Sequence, residues 1–160
     1  MIKLIALVDS RWGVSRDEKI PWSFQEDRVF FREKTINSIV VMGRNTFSSI
    51  HYRPLENRVN LIVSKTMKST PGAKVFRSLE EIVDKYADFW LIGGASLYKH
   101  ALKNDLVHYA LITRVNKDHG ADKFIDAANL EHFSQKIIFN AKQYSILEMI
   151  KSDVIDRVQQ

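Results

Sequence analysis

Apolar positions fall into short runs along the chain, separated by polar stretches and by segments with helical spacing. Residues 2–8 are apolar except for Lys3 and predict a buried strand. Residues 9–21 are mostly polar, and Gly13 and Pro21 interrupt regular structure, so a long loop is expected. Ser23-Phe24-Gln25-Glu26 has the form of a capping box, in which Ser23 accepts from a free helix amide while Glu26 reaches back; it predicts a helix to about Thr35. Residues 39–42, 59–63 and 89–92 are further apolar runs with helical patterns between them, as in crossover-connected parallel sheets. Ser78-Leu79-Glu80-Glu81 supplies a second capping box, and a short helix is expected over 95–102, after a diglycine. Beyond Leu106 the chain turns β-rich over 108–115 and 143–150, with period-two alternation from Tyr144 to Met149, predicting antiparallel strands that close the sheet. No repeat, low-complexity tract or linker interrupts this order. The expectation is one α/β domain over 1–160, built on a single mixed sheet with a few flanking helices.

Composition narrows the chemistry. A chain of 160 residues with 45% hydrophobic and 27% charged content has enough apolar material for one folded core. Cysteine is absent and the five histidines form no helical pair at ligand spacing, so no metal site is expected and redox chemistry needs a borrowed cofactor. The first apolar run is too short for a secretory or membrane segment, which predicts a soluble, cytoplasmic protein. Lys and Arg total 24 against 19 Asp and Glu, for a net charge of +5 and a pI near 9.4. That charge suits anionic partners: nucleic acid, a membrane surface or a phosphorylated cofactor. Where the cations lie must decide.

With Ser23 as cap, Asp27 occupies the fourth helical position and faces Trp22 across a place where a hydrophobic staple would put two apolar side chains. It shares a helix face with Phe24 and Phe31, so it points toward the core, where burial raises a carboxyl pKa. Arg44, Lys65 and Arg77 each follow a predicted strand. If those strands are parallel, the three cations share the carboxyl edge at which open α/β sheets bind ligands. Together with Ser64 and Thr46 they suit a ligand with several phosphates, including one on a ribose 2′ position, and so favour NADPH over NADH. Ile92-Gly93-Gly94-Ala95 places a diglycine between a buried strand and a helix, where backbone can approach a pyrophosphate. Arg58 ends the loop Arg53-Pro54-Leu55-Glu56-Asn57, either as a carboxylate clamp or as a solvated arginine.

Leu4-Ile5-Ala6, Ile20-Pro21-Trp22, Asp27, Phe31, Met42-Gly43-Arg44-Asn45-Thr46-Phe47, Arg53-Pro54-Leu55, Ile92-Gly93-Gly94-Ala95 and Tyr98 together resemble bacterial dihydrofolate reductase over nearly the whole chain. The resemblance implies an eight-stranded, mainly parallel sheet with an antiparallel C-terminal strand and four helices. It implies NADPH-dependent reduction of 7,8-dihydrofolate to tetrahydrofolate, in support of one-carbon metabolism. Asp27 would bind the pteridine's amino group and ring nitrogen and promote protonation of N5, with Thr113 supporting it and hydride passing to C6. The backbone of Ile5, Ala6 and Ile92, with Tyr98, would border the pteridine. Phe31, Ile50 and Leu55 would flank the aminobenzoyl ring beside Arg28 and Arg53, and Arg58 would clamp the glutamate carboxylate. The cofactor would meet Ala6, Leu7, Gly13, Val14, Ser15 and Ile20, then Gly43, Arg44, Asn45 and Thr46. Ser64, Lys65 and Arg77 would take its phosphate side, and Ile92, Gly93, Gly94, Ala95, Ser96, Leu97 and Tyr98 its pyrophosphate and nicotinamide, with the diglycine joined by a cis peptide.

The loop over 9–21 would be the mobile lid. It departs from the family pattern, which usually has Ile-Gly where this chain has Val14-Ser15, and Gly13 follows Trp12 instead. Arg28 also stands where an apolar residue is usual, and Phe30 varies beside it. Antifolate inhibitors would compete with substrate, and a monomer without nucleic-acid or membrane partners is expected. Two rivals stay open: a reductase of the same fold acting on a riboflavin-pathway pyrimidine, which would not need both Asp27 and Arg58, and a basic nucleic-acid-binding domain.

Overall fold

Strand β1 (Ile2–Val8) alternates between two cores, sending Leu4, Ala6 and Val8 into one and Ile5 into the other. This period-two division sets up three layers. A computed structural model of the chain describes residues 1–158, with side chains described to residue 155.

In chain order the elements after β1 are β2 (Gly13–Ser15), α1 (Gln25–Thr35), β3 (Ile39–Gly43), α2 (Arg44–Ser49), β4 (Val59–Val63) and β5 (Ala73–Phe76). They continue with α3 (Leu79–Lys85), β6 (Phe89–Gly93), α4 (Ala95–Lys103), β7 (Tyr109–Val115), β8 (Lys123–Phe124), β9 (Phe133–Asn140), β10 (Tyr144–Lys151) and α5 (Ser152–Val158). Eight strands form the main sheet in the order β5-β4-β3-β6-β1-β7-β10-β9. Ladders from β5 through β7 are parallel, and β10 is the one strand of this sheet whose direction is reversed, antiparallel to both β7 and β9. One face carries Phe30 and Phe31 of α1 and Phe47 of α2 against Val40, Met42 and Ile62; the other carries α3 and α4. Among the described residues no helix is long and apolar enough to cross a membrane.

The structure changes five details of the expected architecture. The Ser23 capping box does not form: the N-cap is Phe24, in extended conformation and without a side-chain cap. Ser23 instead donates its amide to Ile20 in a turn, and its hydroxyl accepts from the Arg28 guanidinium at 3.3 Å, while the Phe24 ring lies 4.7 Å from that of Tyr144. Asp27 is therefore the third helical residue, not the fourth, and its pairing with Trp22 as a failed staple falls away. The Ser78 box forms only in half: Glu81 N donates to Ser78 Oγ at 3.3 Å, but the Glu81 carboxylate accepts from the Arg77 amide at 3.1 Å instead of from that of Ser78. Of the two late strands expected to be antiparallel, β7 lies parallel to β1. There are five α-helices among the described residues instead of four, α5 being the addition. Strand β9 was not expected at all: as an edge strand it is exposed from Ser134 to Asn140, so burial imposes no alternation on its sequence.

Candidate active site

Asp27 lies in the first turn of α1, half-buried, facing the end of β7 where Thr113 hydrogen-bonds its carboxyl group. Burial raises the Asp27 pKa above its ordinary value of 3.8, against the opposing effects of Thr113 and of the Arg28 charge. Tyr98, fully buried on α4, donates its hydroxyl to the Ile5 carbonyl at 2.7 Å. Its own pKa is pushed up by burial and, secondarily, by the charge of Asp27. Residues distant in sequence, from α1, β7 and α4, thus meet at one carboxylate, and Tyr98 links them to β1. Trp22 is buried, its ring stacked 5.5 Å from that of His119, and its indole N–H has no hydrogen-bond partner.

The raised pKa has a consequence for stability. The native state holds the Asp27 proton more tightly than the unfolded chain, so this group's effect on stability becomes less favourable as pH climbs from about 3.8 through the raised native value. Asp27→Asn is expected to unfold at a higher temperature than the wild type at neutral pH. The two should converge below pH 3.8. Thermal unfolding across a pH series checks the sign.

On the other flank of α1, Phe31 is half-buried and the Arg58 guanidinium lies 5.9 Å from its ring centroid. Arg58 donates from Nη1 to Thr35 Oγ1 and from Nε to the Glu56 carbonyl, both at 3.0 Å, so its fork is held in place. Partial burial, with Arg32 close by, lowers its pKa from the ordinary 12.5, as expected for a cation short of a counter-charge. Ile50 and Leu55 are half-buried and pack on the same core as Phe31. Arg28 and Arg53 are exposed.

The strand-end cations lie where the sequence put them, because β3, β4 and β5 are adjacent and parallel. Their roles differ. Arg44 and Lys65 are exposed and enter no ion pair among the described residues. Arg77 is engaged: its Nη1 donates to the carbonyls of Ser64 at 2.8 Å and Met67 at 2.6 Å. Ser64 is buried, and its hydroxyl accepts from the amides of Thr66 and Met67. These two residues therefore shape the loop that presents Lys65.

Across the sheet, Gly93 and Gly94 are joined by a cis peptide, as the resemblance implied. A Cβ on Gly93 would come within 3.1 Å of Thr46 Oγ1 and 3.5 Å of the Tyr98 hydroxyl, and Gly93 has φ +131°. Gly43 packs so that its Cβ would lie 3.8 Å from the Gly93 carbonyl and the Gly94 amide. Gly94 is the N-cap of α4, followed by Ala95 and the exposed Ser96; the Leu97 side chain is buried in the core on the far face. Residues 93–96, Thr46 and Gly43 thus converge on one edge beside Ile92.

The segment 9–21 is pinned rather than open. Its strand β2 pairs with β8, Ser15 accepts from the Asp122 amide at 3.0 Å, and Glu18 bonds both Lys123 and Asn45 Nδ2, the latter at 3.3 Å. Val14 is in the core, Ile20 is exposed, and the Gly13 amide donates to Asp9 Oδ1 at 2.8 Å. Its Cβ would fall 2.1 Å from that of Ala121, so only glycine fits there.

A family model described as dihydrofolate reductase matches residues 1–146. The chain belongs to the dihydrofolate reductase family. The dihydrofolate reductase of Bacillus subtilis is 32% identical over 130 residues, covering 77% of this chain and 74% of its own length. A bifunctional dihydrofolate reductase-thymidylate synthase from Paramecium tetraurelia is 31% identical over 145 residues, covering 88% of this chain, which spans 29% of that longer protein. Among solved structures, the dihydrofolate reductase from Enterococcus faecalis complexed with NADP(H) and RAB-propyl matches with a TM-score of 0.79 and 26% identity. That match covers 96% of this chain and 97% of the other.

Two residues that shape this family's site in the present chain escaped the sequence reading. Asn60 is buried within β4 and ties down the Arg58 loop, accepting from the Leu55 amide at 2.9 Å and donating to the Leu55 and Arg58 carbonyls at 3.0 Å. An asparagine inside the apolar run Val59-Asn60-Leu61 was the available signal. Asp9 is fully buried and accepts from the amides of Arg11, Gly13 and His119, which joins the segment 9–21 to the loop after β7. Nothing in its local sequence distinguishes it from a loop acid.

Proposed function

We propose that the chain, as one domain over 1–160, reduces 7,8-dihydrofolate to 5,6,7,8-tetrahydrofolate with NADPH, in support of one-carbon metabolism and nucleotide synthesis. The observation that carries the reading is the desolvated Asp27 carboxyl, hydrogen-bonded by Thr113, in a family member whose strand-end cations flank a glycine turn.

Asp27 accepts two parallel N–H bonds from the pteridine's amino group and adjacent ring nitrogen, a paired geometry that fixes the ring as well as holding it. Its negative charge so near the ring favours a proton on N5. The backbone of Ile5, Ala6 and Ile92, with Tyr98 fixing the Ile5 carbonyl, borders the pteridine. Phe31, Ile50 and Leu55 wall the aminobenzoyl ring, with Arg28 and Arg53 at the rim. Arg58, oriented by Thr35, clamps the glutamate carboxylate. Antifolates that pair with the same carboxylate compete for it.

The residues present fit NADPH. The Cβ position of Gly93 is taken up by Thr46 and Tyr98, whereas Gly43 and Gly94 have nothing nearer than 3.4 Å to theirs, so the turn leaves room for close approach at those two glycines. The first amides of α4, at Gly94, Ala95, Ser96 and Leu97, suit a pyrophosphate. Gly43, Arg44, Asn45, Thr46 and Lys65 supply the surrounding polar groups and charge, with Ser64 and Arg77 holding Lys65 in place. Leu7, Gly13, Val14, Ser15 and Ile20 cover the nicotinamide side and exclude water. NADPH, when bound, supplies the hydride that C6 receives. We place the protein in the cytoplasm as a monomer whose cations serve the cofactor, not nucleic acid or a membrane.

Labelled cofactor tests the assignment. With NADPH carrying deuterium at both C4 positions of the nicotinamide, one label should appear at C6 of tetrahydrofolate. Oxidation of the cofactor without label in that product would refute the reaction.

A further inference from the structure

A second opening reaches Asp27 from behind. Along α1, Glu26, Phe30 and Glu33 follow one another at helical spacing on the flank opposite Phe31 and Thr35, with Asp27 at the boundary between the two. Between that flank and the β9–β10 hairpin lies a cleft of about 200 Å³. Its floor is Asp27 and Thr113, its walls include Phe30, Tyr144 and Ile146, and Glu26 and Glu33 stand at its edge. A water-sized group takes about 30 Å³, so the cleft has space for roughly six such groups, more than a chain of about four heavy atoms needs.

We infer that this cleft is a subsite for a short amine-terminated chain carried on the amino group that Asp27 holds. The inference rests on the reading of Asp27 as the pteridine anchor. An exocyclic amino group has two hydrogens, and the pairing with Asp27 uses one. Substitution at the other keeps that pairing and directs the chain past Thr113, the second floor residue. Methylene groups then meet the apolar walls, and a terminal ammonium reaches Glu26 and Glu33, both exposed and therefore hydrated until the ligand arrives. Lys34 also faces this region, with Nζ 5.7 Å from the Phe30 centroid, and the Arg28 charge acts on Asp27, but three carboxylates, Glu26, Asp27 and Glu33, outnumber these two cations. An acid-ended chain of equal length meets the opposite field.

The test uses the NADPH-bound protein and three probes: 2,4-diaminopyrimidine, its N2-(3-aminopropyl) derivative and its N2-(2-carboxyethyl) derivative. The aminopropyl compound should bind at least as tightly as the parent, and the carboxyethyl compound about tenfold more weakly. Val29→Phe, at an exposed cleft-lining position, should weaken the aminopropyl compound about tenfold while leaving the parent within twofold. Glu33→Gln should narrow the gap between the two substituted probes. If the parent binds and the aminopropyl compound is tenfold weaker, or if Val29→Phe leaves its affinity unchanged, the subsite is overturned while the anchor reading stands. If the parent itself fails to bind, the anchor reading falls and the subsite with it.

Discussion

Asp27→Asn is expected to lower kcat/KM for dihydrofolate by about 10²–10⁴-fold at neutral pH, the range associated with a positioned acid-base group. The amide still fills the space beside Thr113, so NADPH affinity should stay near that of the wild type. What is lost is the charge that favours a proton on N5 and one acceptor of the pair that holds the ring. The deficit should shrink in acid, where substrate arrives already protonated and the variant no longer depends on the missing charge. The stability of the same variant moves the other way, because a desolvated carboxyl that favours its neutral form burdens the fold at neutral pH. A more stable, less active protein separates a functional carboxylate from a structural one. Pre-steady-state hydride transfer over a pH series supplies the kinetic half of the comparison, and activity equal to wild type at every pH would make Asp27 structural.

Arg58→Ala should weaken dihydrofolate binding by about 10–100-fold, the effect of losing a charge-assisted contact worth roughly 1.5–3 kcal/mol. The contact is made in ground and transition states alike, so KM should rise with kcat nearly unchanged. The geometry makes this loss specific. Thr35 and the Glu56 carbonyl aim the guanidinium, and Asn60 holds the loop backbone independently, so removing the side chain leaves its support standing. Titration with a folate analogue lacking the glutamate gives the control: it should bind the variant and the wild type equally. Equal affinity of the full substrate for both proteins would reject the clamp.

The centre of the parallel half was legible because its inner strands are buried on both faces and so read as nearly continuous apolar runs, as in Ile39 to Met42 and Phe89 to Ile92. The position of the cations followed from that directly: a residue after a parallel strand must lie on the carboxyl edge. What the cations do there did not follow. Arg77 and Lys65 look alike in sequence, yet one spends its fork on the Ser64 and Met67 carbonyls and the other faces water. That difference depends on a loop path, not on residue type. The start of α1 was misplaced for a related reason. Ser23 and Glu26 have the right spacing for a capping box, but the turn at Pro21-Trp22 and the Phe24–Tyr144 contact set the backbone before a cap can form. The inward aim of Asp27 survived because it rests on helical periodicity with Phe31, which a shift of the helix start does not alter. Strand β9 and the buried role of Asp9 were illegible, the first because an exposed edge has no pattern and the second because its partners lie up to 110 positions away.

The most direct test is the loss of reduced-nicotinamide absorbance after mixing the purified protein with NADPH and dihydrofolate. Sustained turnover that Asp27→Asn largely removes at neutral pH is the predicted result. A folded protein that binds NADPH yet leaves the absorbance unchanged would contradict it.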